Sequence, residues 1–190
     1  MIDYWRRYEQ HDGRPRQEQY RRAVITLPTM TVSDSLTLYR GARVIEIRHI
    51  GHGDTPGDLI VFLPHERIVA TGDMVTEPVP YGFTTNPKAW VETLTRLSQL
   101  DFTTMAPGHG AVQKDKTYLF RLIAMNRSLQ MHVASAVADG LDLATTRARV
   151  DLSAFKAEFT RGDPIAEYRF ETWYQRPAVA VAYEMARGSQ

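Results

Sequence analysis

Cysteine is absent from the 190 residues. That excludes disulfides, thiolate nucleophiles and cysteine-held zinc, so any metal ion would rely on imidazole and carboxylate. Long hydrophobic runs are lacking as well. The longest, Leu59-Ile60-Val61-Phe62-Leu63, falls far short of the ~20 apolar residues of a membrane span. The opening stretch from Met1 to Gln10 is too polar for a secretory signal. As written the chain reads as cytoplasmic, although a longer parent could carry an export signal in an N-terminal part. Nor does one sign of charge dominate: 23 Lys and Arg face 22 Asp and Glu. That balance argues against nucleic acid or an anionic membrane as a partner for the whole surface. One cluster departs from it, Arg6, Arg7, Arg14, Arg16, Arg21 and Arg22. Acidic residues and glutamine are mixed into the cluster, which reads as a solvated helix face.

What is present is an ordinary globular composition, with 43% hydrophobic and 24% charged residues, enough for a sizeable core. Residues 2–23 read as two short helices broken at Asp12-Gly13-Arg14-Pro15, and Leu27-Pro28 closes that region. Alternation over 36–50, with Gly41 at a turn, predicts a hairpin. Leu59 to Leu63 has the continuous apolar character of a strand buried on both faces. Ile68-Val69-Ala70 predicts a further short strand that ends at Thr71-Gly72-Asp73.

Helical spacing then takes over. Trp90, Leu94, Leu97 and Leu100 form one stripe behind a first-turn Pro87. Phe102 to Ala106 predicts a last strand, and 115–139 a long amphipathic helix capped by Gly140. Asp151 is placed to cap a helix over 152–159, and Pro164 to open one over 165–187. The order of elements implies an α/β fold, a mixed sheet packed against helices.

Three polar segments follow the predicted strands: His52-Gly53-Asp54-Thr55-Pro56-Gly57-Asp58, Thr71-Gly72-Asp73 and Pro107-Gly108-His109-Gly110. Each alone is an ordinary turn. In order, Gly-Asp-Thr-Pro-Gly-Asp-Leu-Ile-Val-Phe-Leu-Pro, Val-Ala-Thr-Gly-Asp-Met-Val and Ala-Pro-Gly-His-Gly resemble the second half of the metallo-β-lactamase superfamily. The resemblance implies half of an αββα sandwich over 28–113 and a helical C-terminal extension over 114–190, in one domain spanning 1–190. It implies an aspartate bridging two metals at Asp73 and a second-metal ligand at His109. The family's first-metal histidine stands immediately before the threonine, and here that residue is Asp54, with His52 two positions upstream. Asp54 or His52 is therefore the candidate third ligand.

The family's His-x-His-x-Asp-His motif does not occur in this sequence, and His11, His49, His65 and His132 are scattered singly. Zinc, or manganese or iron, is the implied cofactor, on an incomplete ligand set. The implied activity is hydrolysis of an ester, amide, thioester or lactam in a small-molecule substrate. On this ligand count the chain alone is expected to be weak or inactive, its parent being completed by an N-terminal half. The alternative is a non-catalytic binding or dimerising module, a homo-oligomer using the aromatic and basic tail residues Tyr168, Arg169, Trp173, Tyr174 and Arg176. Tyr81 and Phe83, in a Pro/Gly-rich loop, are candidates for the substrate pocket wall.

Overall fold

A computed structural model describes residues 24, 26–83 and 85–188. The Arg-rich stretch, His11 and the two helices expected over 2–23 lie outside the described residues. The chain divides into two compact units, Met1–Thr31 and Val32–Gln190, and the architecture below is that of the second.

Five strands form one sheet in the order β1 (Ser35–Arg40), β2 (Arg43–Arg48), β3 (Ile60–Leu63), β4 (Ile68–Thr76), β5 (Thr104–His109). The first four run as an antiparallel meander, and β5 lies parallel to β4. A parallel neighbour needs a crossover, which helix α1 (Pro87–Gln99) provides. The mixed sheet with packed helices is the α/β class that the sequence implies.

Three strand expectations are corrected. Residues Leu59 to Leu63 are not buried on both faces: Ile60 and Phe62 are buried, whereas Val61 is 38% exposed. Its cross-strand partners are Ile47 and Ala70, on the side of the sheet turned away from the helices. The strand expected to end before Asp73 runs on through Thr76, and β5 includes His109 rather than stopping short of it. Pairing persists because β4 shifts register twice, so that Gly72 still meets Pro107 and Thr76 meets His109.

Helix α1 begins where Asn86 Oδ1 accepts from the Ala89 amide at 3.0 Å and proline occupies the first turn, both N-terminal signals. Its buried stripe, Trp90, Leu94 and Leu97, lies against the sheet, and Trp90 Nε1 donates to the Met74 carbonyl at 3.1 Å. Lys116 closes the other end, donating to the Ser98 and Leu100 carbonyls at 2.8 and 2.7 Å. A cation at the carbonyl end suits the helix dipole.

The long helix α2 (Thr117–Ala138) buries Leu119, Leu122, Met125, Leu129 and Val133 in the same core. Each such side chain contributes roughly 1.5–3 kcal/mol of transfer free energy.

The remaining helices wrap this core: α3 (Leu143–Arg149), α4 (Ser153–Thr160), α5 (Pro164–Arg169) and α6 (Arg176–Gly188), with a π-helical turn over Phe170–Gln175. The helix expected over 165–187 is thus nearly continuous but wound more widely in its middle. Asp151, expected to cap α4, stands one residue before the N-cap, which is Leu152 and makes no side-chain cap bond; its Oδ1 accepts from the Ser153 amide at 2.9 Å. Tyr174 is fully buried, and its hydroxyl reaches Asn126 Oδ1 at 3.1 Å. Asn126 in turn donates to the Leu122 carbonyl at 2.9 Å. A polar pair deep in a core is tolerated because its hydrogen bonds are made.

Candidate functional site

The register sets the site at one end of the sheet. Arg48 pairs with Ile60, and Val61 with Ala70, so the 49–59 connection lies at the end where β4 and β5 finish. Asp73 sits where β4 changes register, and His109 ends β5. Bulged strands beside functional sites commonly re-aim a side chain. Here the two side chains meet, with His109 Nε2 and Asp73 Oδ1 3.5 Å apart and both open to solvent.

That approach depends on Gly108. A Cβ at this position would run into the Asp73 carboxylate and stand 2.6 Å from the Gly72 carbonyl carbon, well inside van der Waals contact. Glycine's lack of a side chain is therefore needed for the close passage of β5 past Asp73.

Behind His109 the chain doubles back. Met105 and Gln113 exchange backbone hydrogen bonds at 2.9 and 2.8 Å. Glu77 closes this turn from β4's side. Its amide donates to the His109 carbonyl at 3.0 Å, and its Oε2 accepts from the Ala111 amide at 2.7 Å and from Gln113 Nε2 at 3.1 Å. No sequence signal singles out this glutamate, because its role arises only when β4 and β5 align.

The 49–59 loop is ordered from within. The Asp58 carboxylate accepts from the Asp54 amide at 2.7 Å and from the Thr55 hydroxyl. His49, just past β2, contacts the Pro56 carbonyl at 3.0 Å. Asp54 Oδ1 is approached by the Thr85 hydroxyl at 3.4 Å. The Nε2 of His52 is buried and finds no hydrogen-bond partner among the described residues, an uncommon state for a buried nitrogen.

Of the four ligand candidates, Asp73 and His109 are brought together. Neither Asp54 nor His52 joins them: among the described residues no three His, Asp or Glu side chains converge to hold an ion. A hydrolytic zinc takes about three protein ligands and a water. The residues described do not fit a complete centre of that kind.

Of the two loop aromatics, Tyr81 borders the pair. The Tyr81 ring stands edge-on to His109 at 6.0 Å, and the Phe83 ring lies 6.4 Å from that of Tyr81. Trp173, from the π-helical turn, completes this wall at 5.9 Å from Tyr81. A cavity of about 170 Å³ lined by Glu77, Tyr118, Arg121 and Glu158 is separate and includes neither Asp73 nor His109. In it the Tyr118 hydroxyl, held at 2.6 Å from the Thr76 carbonyl, is pushed far above its ordinary pKa by burial and then by Glu77.

No helix among the described residues is long and apolar enough to cross a membrane. No curated protein matches the chain.

Among solved structures, the sec-alkylsulfatase Pisa1 from Pseudomonas sp. is 14% identical with a TM-score of 0.64. The match covers 84% of this chain and 26% of that one. A metallo-beta-lactamase family protein from Thermus thermophilus is 17% identical with a TM-score of 0.61, over 97% of this chain and 58% of that one. At such identities the likeness is one of fold, and the chain spans only part of the length of both proteins. The family model for the metallo-beta-lactamase superfamily matches residues 2–109, more than half of the chain, and this protein belongs to that superfamily.

Proposed function

We propose that the chain carries one side of a metal-dependent hydrolytic centre acting on a small molecule, with Asp73 and His109 as two of its donors. By itself it turns over an ester, amide, thioester or lactam weakly or not at all. The observation that carries this reading is the pair itself: a carboxylate at the register shift of β4 and an imidazole at the end of the parallel β5, 3.5 Å apart and open to solvent. Imidazole and carboxylate are the donors that zinc, manganese or iron accepts in a protein without cysteine. With two donors together where about three are needed, no hydrolytic step is assigned to these residues.

Asp54 and His52 are the candidates for a third donor on this side of the site. Asp54 occupies the position that precedes Thr55-Pro56-Gly57-Asp58, and His52 has the unsatisfied nitrogen. The remaining donors would come from a longer parent's N-terminal half.

The test is hydrolysis of a chromogenic aryl ester and a chromogenic cephalosporin by the purified chain with added zinc. The expected rate lies within a fewfold of the Asp73→Ala variant. A rate a hundredfold above that variant would overturn the reading of a weak isolated chain.

A second reading, a module that pairs with another copy of itself, is favoured by one observation. Leu36, Leu38, Ile45, Ile47 and Val61 share the sheet face turned away from the helices, and Leu38 and Val61 are 42% and 38% exposed. An apolar sheet face with an unpaired edge strand favours association.

A further inference from the structure

The C-terminal helices reach the candidate site through one loop. The Gly82 amide donates to the Trp173 carbonyl at 2.8 Å. A Cβ on Gly82 would stand 2.7 Å from the Tyr174 carbonyl oxygen, so the loop lies flat on the helix. The helix at this point is the π-helical turn. Its wider winding keeps Phe170 and Tyr174 fully buried while Trp173 is only half-buried, beside Tyr81. π-helical turns are rare and recur at functional sites.

Trp173 also carries a cation. The Arg169 guanidinium lies 4.7 Å from the centre of its ring, and no carboxylate among the described residues pairs with Arg169. A stacked guanidinium keeps its N–H donors free in the plane, where they match an oxyanion in a bidentate fork. From His109 the contacts therefore run through Tyr81 and Trp173 to Arg169, each step between 4.7 and 6.0 Å. The sequence of surfaces is a donor pair, an aromatic wall and a cation without a carboxylate partner among the described residues.

We propose that Tyr81, Phe83, Trp173 and Arg169 form the substrate-binding wall of this site and select an aromatic molecule that carries an oxyanion such as a carboxylate. The rings take the aromatic body, and Arg169 takes the anion at the far end from His109. What becomes of the bound molecule rests on the hydrolytic reading of Asp73 and His109, whereas its binding does not.

The test is isothermal titration of the full chain with 2-naphthoate and with its neutral counterpart 2-naphthamide. Naphthoate is expected to bind saturably, and naphthamide at least fivefold more weakly. Arg169→Met keeps an apolar stem on an exposed position and is expected to weaken naphthoate about five- to tenfold. Trp173→Ala is expected to weaken it roughly tenfold and Trp173→Phe to restore most of the loss. If Trp173→Ala fails to fold, Arg169→Met and the naphthamide comparison decide alone.

Equal binding of the two probes, an Arg169→Met affinity equal to that of the unaltered chain, or no saturable binding overturns the proposal. Naphthoate bound as expected, with naphthoate esters hydrolysed a hundredfold faster than by Asp73→Ala, keeps the wall and overturns the reading of a weak isolated chain. Ester turnover within a fewfold of Asp73→Ala, with affinity indifferent to Arg169, does the reverse.

Discussion

The two faces of the sheet are built from neighbouring residues of the same strands and meet different fates. Ile60, Phe62 and Val69 point to the helices and are at most 6% exposed. Val61, between the first two, and Leu38 point the other way and keep around two-fifths of their surface in solvent. Strand alternation alone decides which side a residue joins. The comparison separates two roles: the helix-covered face supplies the stability, while the other contributes apolar surface on which no helix of the described residues packs. The site belongs to neither face. It sits at the end of the sheet, where β4 and β5 close on each other through Gly72, Asp73, Gly108 and His109.

The largest expected effect lies on the covered face. Trp90→Ala removes a ring that is 1% exposed and strands the Met74 carbonyl it serves. The expected loss is about 3–5 kcal/mol in urea unfolding. A loss below about 1 kcal/mol would mean that this face does not hold the fold.

Next is the sheet end. Gly108→Ala drives a methyl into Asp73 and Gly72, at an expected cost of about 1–3 kcal/mol. Alongside that cost, the Asp73 and His109 NMR signals should shift while those of α2 stay in place. Signals unmoved at Asp73 would contradict the close passage described.

A smaller effect is expected from acid. Asp115, Asp142 and Asp151 are held below their ordinary pKa of 3.8, first by the backbone amides of Thr117, Thr145 and Ser153. A carboxylate lowered in the folded state contributes stability above its unfolded pKa and loses it as pH falls through the folded value. Melting temperature should therefore be insensitive to these groups between pH 6 and 8 and fall below about pH 4. A rise in melting temperature on acidification below that point would contradict these hydrogen-bond assignments.

The smallest effect on folding belongs to the open face. The double variant Leu38→Ser with Val61→Ser is expected to change folding stability by no more than about 0.5 kcal/mol per site. Sedimentation should nonetheless change if the face pairs copies: the unaltered chain would run above its 21.6 kDa and the variant at it. Identical sedimentation of the two would remove the pairing reading and leave the comparison of stabilities intact.

Much of this was legible in the residues. The stripe of Trp90, Leu94 and Leu97 behind Pro87 predicts α1 and its buried side, and the Asp73 and His109 motifs predict the pair that the strands bring together. The apolar run at 59–63 misleads because an exposed valine and a buried isoleucine look alike in sequence. Only cross-strand pairing distinguishes them. The ends of β4 and β5 were misjudged because glycines at 72 and 108 resemble turn residues, whereas here they permit a bulge and a close approach. Glu77 and Trp173 lie 32 and 64 residues from His109 in the chain. Neither carries a local pattern that would place it there.

The central claim is that Asp73 and His109 form a paired but incomplete donor set. It is tested most directly by elemental analysis of the chain after incubation with zinc and removal of the excess. The account predicts well under one zinc per chain, with little change in Asp73→Ala or His109→Ala. Close to one zinc per chain, lost in either variant, would contradict it and show that this chain or a pair of chains completes the centre.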